Sequence, residues 1–463
     1  MSTFGGINNA LTSLYAQRRG LDITGQNIAN ANTEGYSRQR AEMQAQAGSL
    51  VTALYSKSDS TGAGVTVSDV QRLRDEYLET RGRTEHERTA YLTDQAAVYS
   101  AIEDVFAEPN DTALQAQLHD MWGAWSDLAN NPKDSAARTA LLQQSETVVD
   151  GMHDAYATLS GQWSATRRQL NVYADQVNTT ASAVAQLNES IALATASGVT
   201  VNELHDQRDV HLMNLAELVG GTAYKRDNGA VDVFVGGSPL VSGFTTRKLE
   251  VTGAVDLADQ MADPLVNPMQ IRWKDTGTTV TPGGTMGSMA DGLMVVIPTY
   301  TAALDDVAAK LADTVNAAHS AAYGLDGSTG RPFFSGTKAR DIAVAITDPT
   351  LIATATSAGT LDGSVADAIA DTGSSTGSPD VAYREMIAQL GITSQTIGRR
   401  SIIQGNVTEQ VDAARESESG VNLDEEMTNM IKYQRGYEAA SRVLTTVDEM
   451  LDQLINRTGL VGR

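Results

Sequence analysis

One stretch of the sequence, residues 134–196, constrains the fold more than any other. Its apolar residues recur every three or four positions, and no proline interrupts them. The repeating positions include Val148, Met152, Leu159, Trp163, Leu170, Val177, Val184 and Ile191. This spacing, sustained over several heptads, predicts one continuous helix with an apolar seam. At about 1.5 Å per residue the helix would be roughly 90 Å long, which is typical of a shaft and rare in a globular enzyme.

The ten prolines divide the rest of the chain into helical ends and a non-helical middle. Five of them lie between Pro239 and Pro298, whereas none precedes Pro109 or follows Pro379. Because proline interrupts helices and central strands, both ends are free to form long helices. The run Val231–Val235, followed by glycines, indicates short strands in the middle. The sequence therefore predicts a mainly α, elongated fold with long amphipathic or coiled-coil helices from both termini and an inserted β domain.

Both termini carry amphipathic patterns without a local partner. The N-terminal pattern begins at a cap candidate, Ser2 or Thr3, and ends among asparagines before Gly35. The C-terminal pattern follows the cap candidate Asn422. The predicted assembly stripe consists of Leu11, Leu14, Leu21, Leu423, Met427, Met430, Tyr437, Leu444, Val447, Leu451 and Leu454.

These terminal helices can pair with each other, with neighbouring molecules, or with both. Leaving about eight large apolar residues in water forfeits on the order of 10 kcal/mol, at roughly 1.5 kcal/mol each. That loss is comparable to the stability of a whole domain. We therefore expect both ends to be disordered in an isolated chain and ordered in an assembly.

Weaker patterns predict the remaining elements. Helices are expected over 75–105, 113–128, 302–319 and 379–415, and an extended segment over 36–74 with a turn at Ser60-Thr61-Gly62. We divide the chain into an N-terminal assembly helix with an extended segment (1–65), the first part of a long-helix domain (66–219), an inserted β-rich outer domain (220–300), the second part of the long-helix domain (301–418, with a flexible stretch at 340–380) and a C-terminal assembly helix (419–463).

The composition excludes several classes of partner. With 34 Lys and Arg against 57 Asp and Glu, the net charge is −23, which argues against nucleic acid and against anionic membrane surfaces. No run approaches eighteen apolar residues, so we expect no membrane insertion. Met1–Gln17 does not fit a cleavable signal peptide, so export would need another route. The absence of cysteine excludes disulfides, thiolate metal sites and cysteine nucleophiles.

No set of residues has the spacing of a catalytic or metal site. His205 and His211 are six positions apart, whereas two ligands on one helix face need a spacing of four. The neighbouring Arg208 and Asp209 are interpreted as a structural ion pair or cap. The segment from Gly330 to Lys338 departs from a phosphate loop in spacing and order. The sequence predicts no enzyme activity, no cofactor and no metal.

The terminal motifs resemble those of a known family. The run from Gly25 to Gln39, with Ala-Asn-Ala-Asn-Thr-Glu-Gly-Tyr-Ser-Arg-Gln at its end, is similar to the signature of bacterial flagellar rod, hook and hook-associated proteins, with Glu34 where that signature usually has proline. The runs Gly420–Glu426 and Tyr433–Ser441 resemble the matching tail. Together with interior stretches such as Leu204–Asp209, they are most similar to the hook-associated protein 1 (FlgK) family. The motif residues are Asn27, Asn30, Asn32, Thr33, Gly35, Tyr36, Arg38 and Gln39.

The resemblance implies a structural protein that polymerises at the distal end of the hook and joins it to the filament, outside the cell. The partners it implies are further copies of the chain in a ring or helical layer, the hook protein, a second hook–filament junction protein, the flagellar export apparatus and a cytoplasmic export chaperone on the C-terminal helix. Alternatives are a hook or distal-rod protein, a scaffold carrying a cell-wall hydrolase, and a coiled-coil adhesin or signalling rod.

Overall fold

The computed structural model describes residues 3–47, 62–262 and 266–457, and these ranges are mainly helical. Their α-helices are α1 (Thr3–Ala29), α2 (Glu76–Phe106), α3 (Leu114–Asn130), α4 (Ser135–Ala196), α5 (Asn202–Val219), α6 (Leu257–Ala262), α7 (Gly284–Asp291), α8 (Ile297–His319), α9 (Ser364–Thr372), α10 (Pro379–Ser419) and α11 (Leu423–Asp452). The predicted fold class is confirmed.

The strands are short and form small antiparallel sheets. They are β1 (Gln39–Ala45), β2 (Val65–Arg72), β3 (Thr222–Lys225), β4 (Val231–Val235), β5 (Ser238–Ser242), β6 (Thr245–Thr246), β7 (Leu249–Thr252), β8 (Gln270–Trp273), β9 (Phe334–Ser335) and β10 (Ala343–Val344). β1 pairs with β2, β3 to β6 form a meander, β7 pairs with β8, and β9 pairs with β10.

The long central helix is confirmed as α4, with 62 residues. The side chain of Asp134 caps its first turn by accepting a hydrogen bond from the backbone of Ala136 at 2.9 Å. The predicted seam is its buried face, on which Leu159, Trp163 and Leu170 are fully buried. α3, α5, α8 and the inserted strands pack around it, so α4 forms the axis of the main core.

Two asparagines attach the inserted strands to α4. Asn178 donates to the carbonyl of Leu249 at 2.9 Å and accepts from its backbone N–H at 2.8 Å. Asn188 makes the same pair of contacts with Val231, at 2.7 and 3.0 Å. Each amide thus satisfies both backbone groups of a strand residue, as a neighbouring strand would.

The predicted end of the β region, at residue 300, is wrong. The last strand of the region ends at Trp273, and a helical stretch begins at Gly284 and continues to His319. Pro298 favours a break by its local propensity, but a π-helical turn over Gly292–Val296 precedes it, and this irregularity accommodates the missing N–H. The stretch Gly284–His319 is long and apolar enough to cross a membrane by length and composition, yet residues such as Leu304 and Leu311 are buried in the core.

The stretch 340–380, predicted as flexible, is instead attached to the core. Ile342, Ile346 and Ile352 are buried there. The guanidinium of Arg138 on α4 donates to the carbonyls of Pro349 and Ile352, at 3.0 and 2.8 Å. Composition does not show that a buried arginine elsewhere in the chain binds the carbonyls of this loop. The serine- and glycine-rich sequence alone therefore wrongly predicts a flexible stretch.

The helices predicted over 75–105, 113–128 and 379–415 are confirmed as α2, α3 and α10, and the break near Ser419 separates α10 from α11. The predicted extended segment contains the β1–β2 ribbon, in which Gln39 faces Arg72. The predicted domain boundary between residues 65 and 66 lies after the first residue of β2. It therefore divides a ribbon whose two strands are paired. Ser60 and Thr61 of the predicted turn lie outside the described residues.

Candidate functional site

The end of α1 and the turn after it form a buried network of polar side chains with three distant segments. We call this network the polar junction. It consists of Asn27, Ser37, Arg38, Arg72, Asp206, Asp209 and Glu426. The network joins the motif near the N-terminus to β2, α5 and the first turn of α11.

Asn27 lies at the centre of the polar junction and is almost completely buried. Its amide nitrogen donates to the carbonyl of Gln39 at 2.9 Å and to Glu426 Oε2 at 3.0 Å. Its amide oxygen accepts from the backbone of Gln39 at 3.0 Å and from the hydroxyl of Tyr36 at 2.8 Å. The amide nitrogen thus donates two hydrogen bonds and the amide oxygen accepts two. These four bonds fix the path of the turn.

Arg38 and Glu426 connect the turn to the C-terminal helix. Arg38 Nε donates to Glu426 Oε1 at 2.8 Å, and its Nη1 donates to Glu425 at 2.7 Å. The backbone N–H of Arg38 also donates to the carbonyl of Ser419 at 2.9 Å. Glu426 is 2% exposed, so its charge is stabilised by Arg38 and Asn27 rather than by water.

Asp206 and Asp209 of α5 connect the turn to β2. Ser37 donates to Asp206 through its hydroxyl at 2.8 Å, and Arg72 contacts both aspartates at 2.9 Å. Arg74 pairs with Asp209 as well. Burial alone would raise the pKa of Asp209, but Arg74 and Arg72 outweigh burial and hold it below its usual value.

The remaining motif residues shape the turn. Gly35 has a φ of +75°, and a Cβ at this position would lie 2.3 Å from a methyl group of Val210, so glycine is required there. Burial, followed by the charge of Asp206, raises the pKa of Tyr36. Thr33 donates to Asn30 at 3.2 Å, and Asn32 is exposed.

α1 and α11 form an antiparallel pair, which we call the terminal pair. Gly6 faces Val447, Gly20 faces Tyr433, and Asn27 contacts Glu426. A Cβ built on Gly20 would lie 2.8 Å from the ring of Tyr433. Glycines on α1 therefore let α11 approach closely along this register.

The terminal pair covers only part of the predicted assembly stripe. Leu14, Leu21, Met430, Leu444, Val447 and Leu451 are half-buried, whereas Leu11, Leu423, Met427, Tyr437 and Leu454 are exposed. Tyr15, Ile431, Val443 and Met450, which the stripe did not include, are also exposed. We call Leu11, Tyr15, Leu423, Met427, Ile431, Val443 and Met450 the exposed flanks.

The expectation that both ends are disordered in an isolated chain differs from the structure. α1 and α11 are both helical and pack on each other, and α1 also packs on the β1–β2 ribbon through Ile23, Ala41 and Val70. Of the alternatives that the sequence leaves open, pairing of the two terminal helices with each other is the one found within the chain. The cover is nevertheless incomplete, because Met427 and Ile431 are 58% and 57% exposed.

The polar junction includes residues that were not predicted as site residues: Ser37, Arg72, Asp206, Asp209 and Glu426. Asp209 does form an ion pair, but with Arg72 and Arg74 and not with its neighbour Arg208. The motifs quoted from the sequence contain four of these residues: Ser37, Asp206, Asp209 and Glu426. Membership of a motif was the sequence feature that could have identified them. In the described ranges, no group of three or more His, Cys, Asp or Glu side chains could hold a metal ion.

Three family models match the chain. The helical domain of flagellar hook-associated protein FlgK matches residues 99–334, the flagellar basal body rod protein model matches residues 7–36, and the C-terminal model of the flagellar basal body rod proteins FlgEFG matches residues 415–457. The middle and both ends of the chain are thus matched by flagellar proteins.

Several curated proteins are similar over their whole length. Flagellar hook-associated protein 1 of Bacillus subtilis is 29% identical, with all of both chains covered. The proteins of the same name from Escherichia coli and Salmonella typhimurium are 26% and 25% identical, each over 97% of this chain and 99% of the relative. The solved structure of the flagellar hook junction protein FlgK from Burkholderia pseudomallei has a TM-score of 0.64 at 14% identity, covering 73% of this chain and 100% of that one, which supports the fold.

Proposed function

The chain belongs to the flagellar hook-associated protein FlgK family, and from this premise we propose that it joins hook and filament through its terminal pair. It is a structural component of the bacterial flagellum, at the hook–filament junction outside the cell. The finer proposal concerns how the subunit is built for that role. The terminal pair supplies the assembly contacts, and the polar junction sets its orientation on the helical body.

The observation that carries this proposal is the contrast within the terminal pair. At one end of the pair, Asn27, Arg38 and Glu426 are buried and hydrogen-bonded to each other or to the turn. In the same first turns of α11, Met427 and Ile431 remain more than half exposed. Contiguous exposed apolar surface marks an interaction site, and further copies of the same helix pair have matching apolar flanks. Identical subunits placed helically need such heterologous contacts.

We propose further copies of the chain, the hook protein and a second hook–filament junction protein as assembly partners. Before assembly, the exposed flanks of α11 would be the binding surface for a cytoplasmic chaperone, and the flagellar export apparatus would carry the chain out of the cell. We also propose that the chain has no catalytic role. These partners rest on the family, and the apolar flanks are the surface that the described residues offer to them.

A hook or distal-rod role is the second candidate, because rod-protein models match residues 7–36 and 415–457. The helical body, however, is matched by the FlgK model at residues 99–334, and this favours the junction. Immunogold labelling separates the two: we expect label at the distal end of the hook, and label along its whole length would establish the alternative. A cell-wall hydrolase scaffold has no supporting observation in the described residues.

The experiment that tests the assembly role is the double substitution Met427→Asp with Ile431→Asp. Two charges on the exposed flanks should abolish filament attachment in a strain lacking the native protein, because their burial between subunits would be costly. Gln169→Asp, at an exposed position of α4, is the matched control and should attach filaments normally. Normal attachment with the double variant, checked by electron microscopy, would refute the assembly role of the flanks.

A further inference from the structure

A cavity of about 390 Å³ lies beside the polar junction, bounded by β2, α2, α5 and the first inserted strands. Five basic side chains line it (Arg72, Arg74, Arg83, Arg208 and Lys225), together with four carboxylates (Asp69, Glu76, Glu79 and Asp209). The lining thus has one more positive than negative charge, whereas the chain as a whole has a net charge of −23. The positive and negative groups of the lining are not all paired with each other.

Two of the five cations are neutralised by carboxylates. Arg72 pairs with Asp206 and Asp209, both at 2.9 Å. Arg74 pairs with Asp209 and, at 2.8 Å, with Glu79. These arginines belong to the network that holds the turn, β2 and α5 together, and their charge is not available to a ligand.

Arg208 is a buried cation without a carboxylate partner among the described residues. The side chain is 3% exposed. Its Nη1 donates to Gly229 O at 2.7 Å and to Asn188 Oδ1 at 3.2 Å, and its Nη2 contacts His205 Nδ1 at 3.1 Å. In the part of the chain that the structure describes, its Nε has no hydrogen-bond partner. Buried charges in proteins are normally paired with an opposite charge, so this arrangement is incomplete.

Arg83 and Lys225 are the other two cations on the cavity wall. Arg83 is half-buried and donates to the hydroxyl of Thr80 at 3.2 Å. Lys225 is exposed at the end of β3. Within the described ranges neither makes an ion pair. The cavity therefore holds three cations from three different elements, α2, α5 and β3, that form no ion pair within the described ranges, and the carboxylates of Asp69 and Glu76 on the same wall are not paired with them.

Burial is the main cause of the pKa shifts of three basic groups in the cavity. Burial lowers the pKa of Arg208 to about 10, with Asp209 opposing the shift and Arg72 and Arg74 adding to it. Burial also lowers the pKa of Arg83, with Asp209 and Glu79 opposing the shift. The pKa of His205 is lowered to about 4, first by burial and then by Arg72 and Arg208, so His205 is neutral and acts as an acceptor for Arg208.

We propose that this cavity binds a small multivalent oxyanion of the phosphate or sulfate class, held by Arg83, Arg208 and Lys225. Planar guanidinium groups match the oxygens of such anions in a two-pronged geometry, and lysine adds a compact point charge. Asp69 and Glu76 also line the cavity, and both are exposed at its rim. Their negative charges oppose the binding of an anion. Removing one of these charges should therefore raise the affinity, whereas removing a cation should lower it.

The test is binding of inorganic phosphate and of sulfate to the purified full-length chain, measured by calorimetry at constant ionic strength. We expect saturable binding with one site per chain. Arg83→Gln and Lys225→Gln should each weaken it, Arg83→Gln by about tenfold or more because it removes a charge-assisted hydrogen bond. Glu76→Gln should tighten it. The control Arg399→Gln removes an exposed arginine of α10, and should leave binding unchanged.

Three results would overturn the proposal. They are the absence of saturable binding, unchanged affinity in Arg83→Gln, and an equal loss in Arg83→Gln and in Arg399→Gln, which would indicate general screening of charge. Lys225 and Glu76 are exposed, so their variants remain informative if Arg83→Gln fails to fold. The measurement does not involve hook or filament, so it is independent of the proposed role in assembly.

Discussion

The helical body around α4 and the terminal pair are both built from long helices, but they cover their apolar side chains differently. On α4, Leu159, Trp163 and Leu170 are fully buried, because other parts of the same chain surround them. On α11, the buried residues are Glu426 and Ala440, and large side chains such as Ile431 stay exposed. An apolar stripe of helical period thus predicts burial, but it does not tell whether the partner lies in the same chain.

The terminal pair is also held unequally along its length. At the end formed by Asn27 and Glu426 it is joined to the helical body through buried hydrogen bonds and ion pairs. At the other end, a Cβ built on Gly6 would lie 3.7 Å from a methyl group of Val447, an ordinary van der Waals distance. We infer that the pair opens from the Gly6 end, as expected where few contacts are buried.

The largest expected effect is in the helical body. Trp163→Ala removes a fully buried indole and its 2.9 Å hydrogen bond to the carbonyl of Leu293, and should lower the free energy of unfolding by about 3–5 kcal/mol. Chemical denaturation monitored by circular dichroism measures this loss. Gln169→Ala, at an exposed position of the same helix, is the control and should change it by less than about 0.5 kcal/mol. A loss no larger than that of the control would contradict the contrast between body and ends.

The next effect concerns the attachment of the terminal pair. Asn27→Asp keeps the shape of the side chain but replaces its donor with a carboxylate oxygen beside Glu426. We expect the free energy of opening of α11 to fall by about 2 kcal/mol, because a buried donor is lost and two like charges meet. Hydrogen exchange of the α11 amides measures this opening. Asn32→Asp, exposed in the same turn, is the control, and equal exchange in both variants would show that Asn27 does not hold the pair.

A smaller effect distinguishes two glycines of α1. Gly20→Ala places a methyl group 2.8 Å from the Tyr433 ring, whereas Gly25→Ala meets nothing within 4 Å. We expect Gly20→Ala to destabilise the pair by about 1 kcal/mol through overpacking, and Gly25→Ala to stabilise α1 by about 0.5–1 kcal/mol. Hydrogen exchange of the α1 and α11 amides measures both changes in stability. Changes of opposite sign would support the register in which Gly20 faces Tyr433. Two shifts of the same sign would rule out the close approach at Gly20.

The local elements could be predicted from the sequence where periodicity or capping chemistry defines them. The seam of α4 and the Asn422 cap of α11 are examples. The polar junction could not be assembled in the same way, because its partners are far apart in the chain: Asn27 and Glu426 are separated by 399 positions. Motif residues identified the positions, but not which of them touch.

The errors in the predicted fold have a common cause. Pro298 and the serine- and glycine-rich stretch before Pro379 were interpreted by their local propensity. In the structure a π-helical turn precedes Pro298 and α8 continues beyond it, and Arg138 fixes the loop at Pro349 and Ile352. Tertiary contacts of this kind override propensity, and they involve residues too distant in sequence to recognise as partners.

The smallest expected effect lies where the body meets the ends. His86 of α2 is placed between Glu217 of α5 and Asp412 of α10, with both ring nitrogens 2.8 Å from a carboxylate oxygen. The hydrogen bond to Glu217 raises the pKa of His86, with burial opposing and Asp412 adding to the shift. Because the folded pKa lies above the unfolded value of about 6.5, this stabilisation is fully present below about pH 6.5 and is lost as the pH rises through the folded pKa.

His86→Gln should therefore cost at most about 1 kcal/mol of unfolding free energy near pH 5.5, and less near pH 8.5. The exposed His119→Gln is the matched control, and denaturation at the two pH values measures the difference. Since His86 ties α10 to α2 and α5 close to the attachment of α11, hydrogen exchange should show the pH effect in these body helices and not in the Gly6 end of the terminal pair. The proposed role of His86 within the helical body would be contradicted by either of two results. One is a loss of unfolding free energy in His86→Gln that increases with pH, and the other is faster exchange that appears first at the Gly6 end.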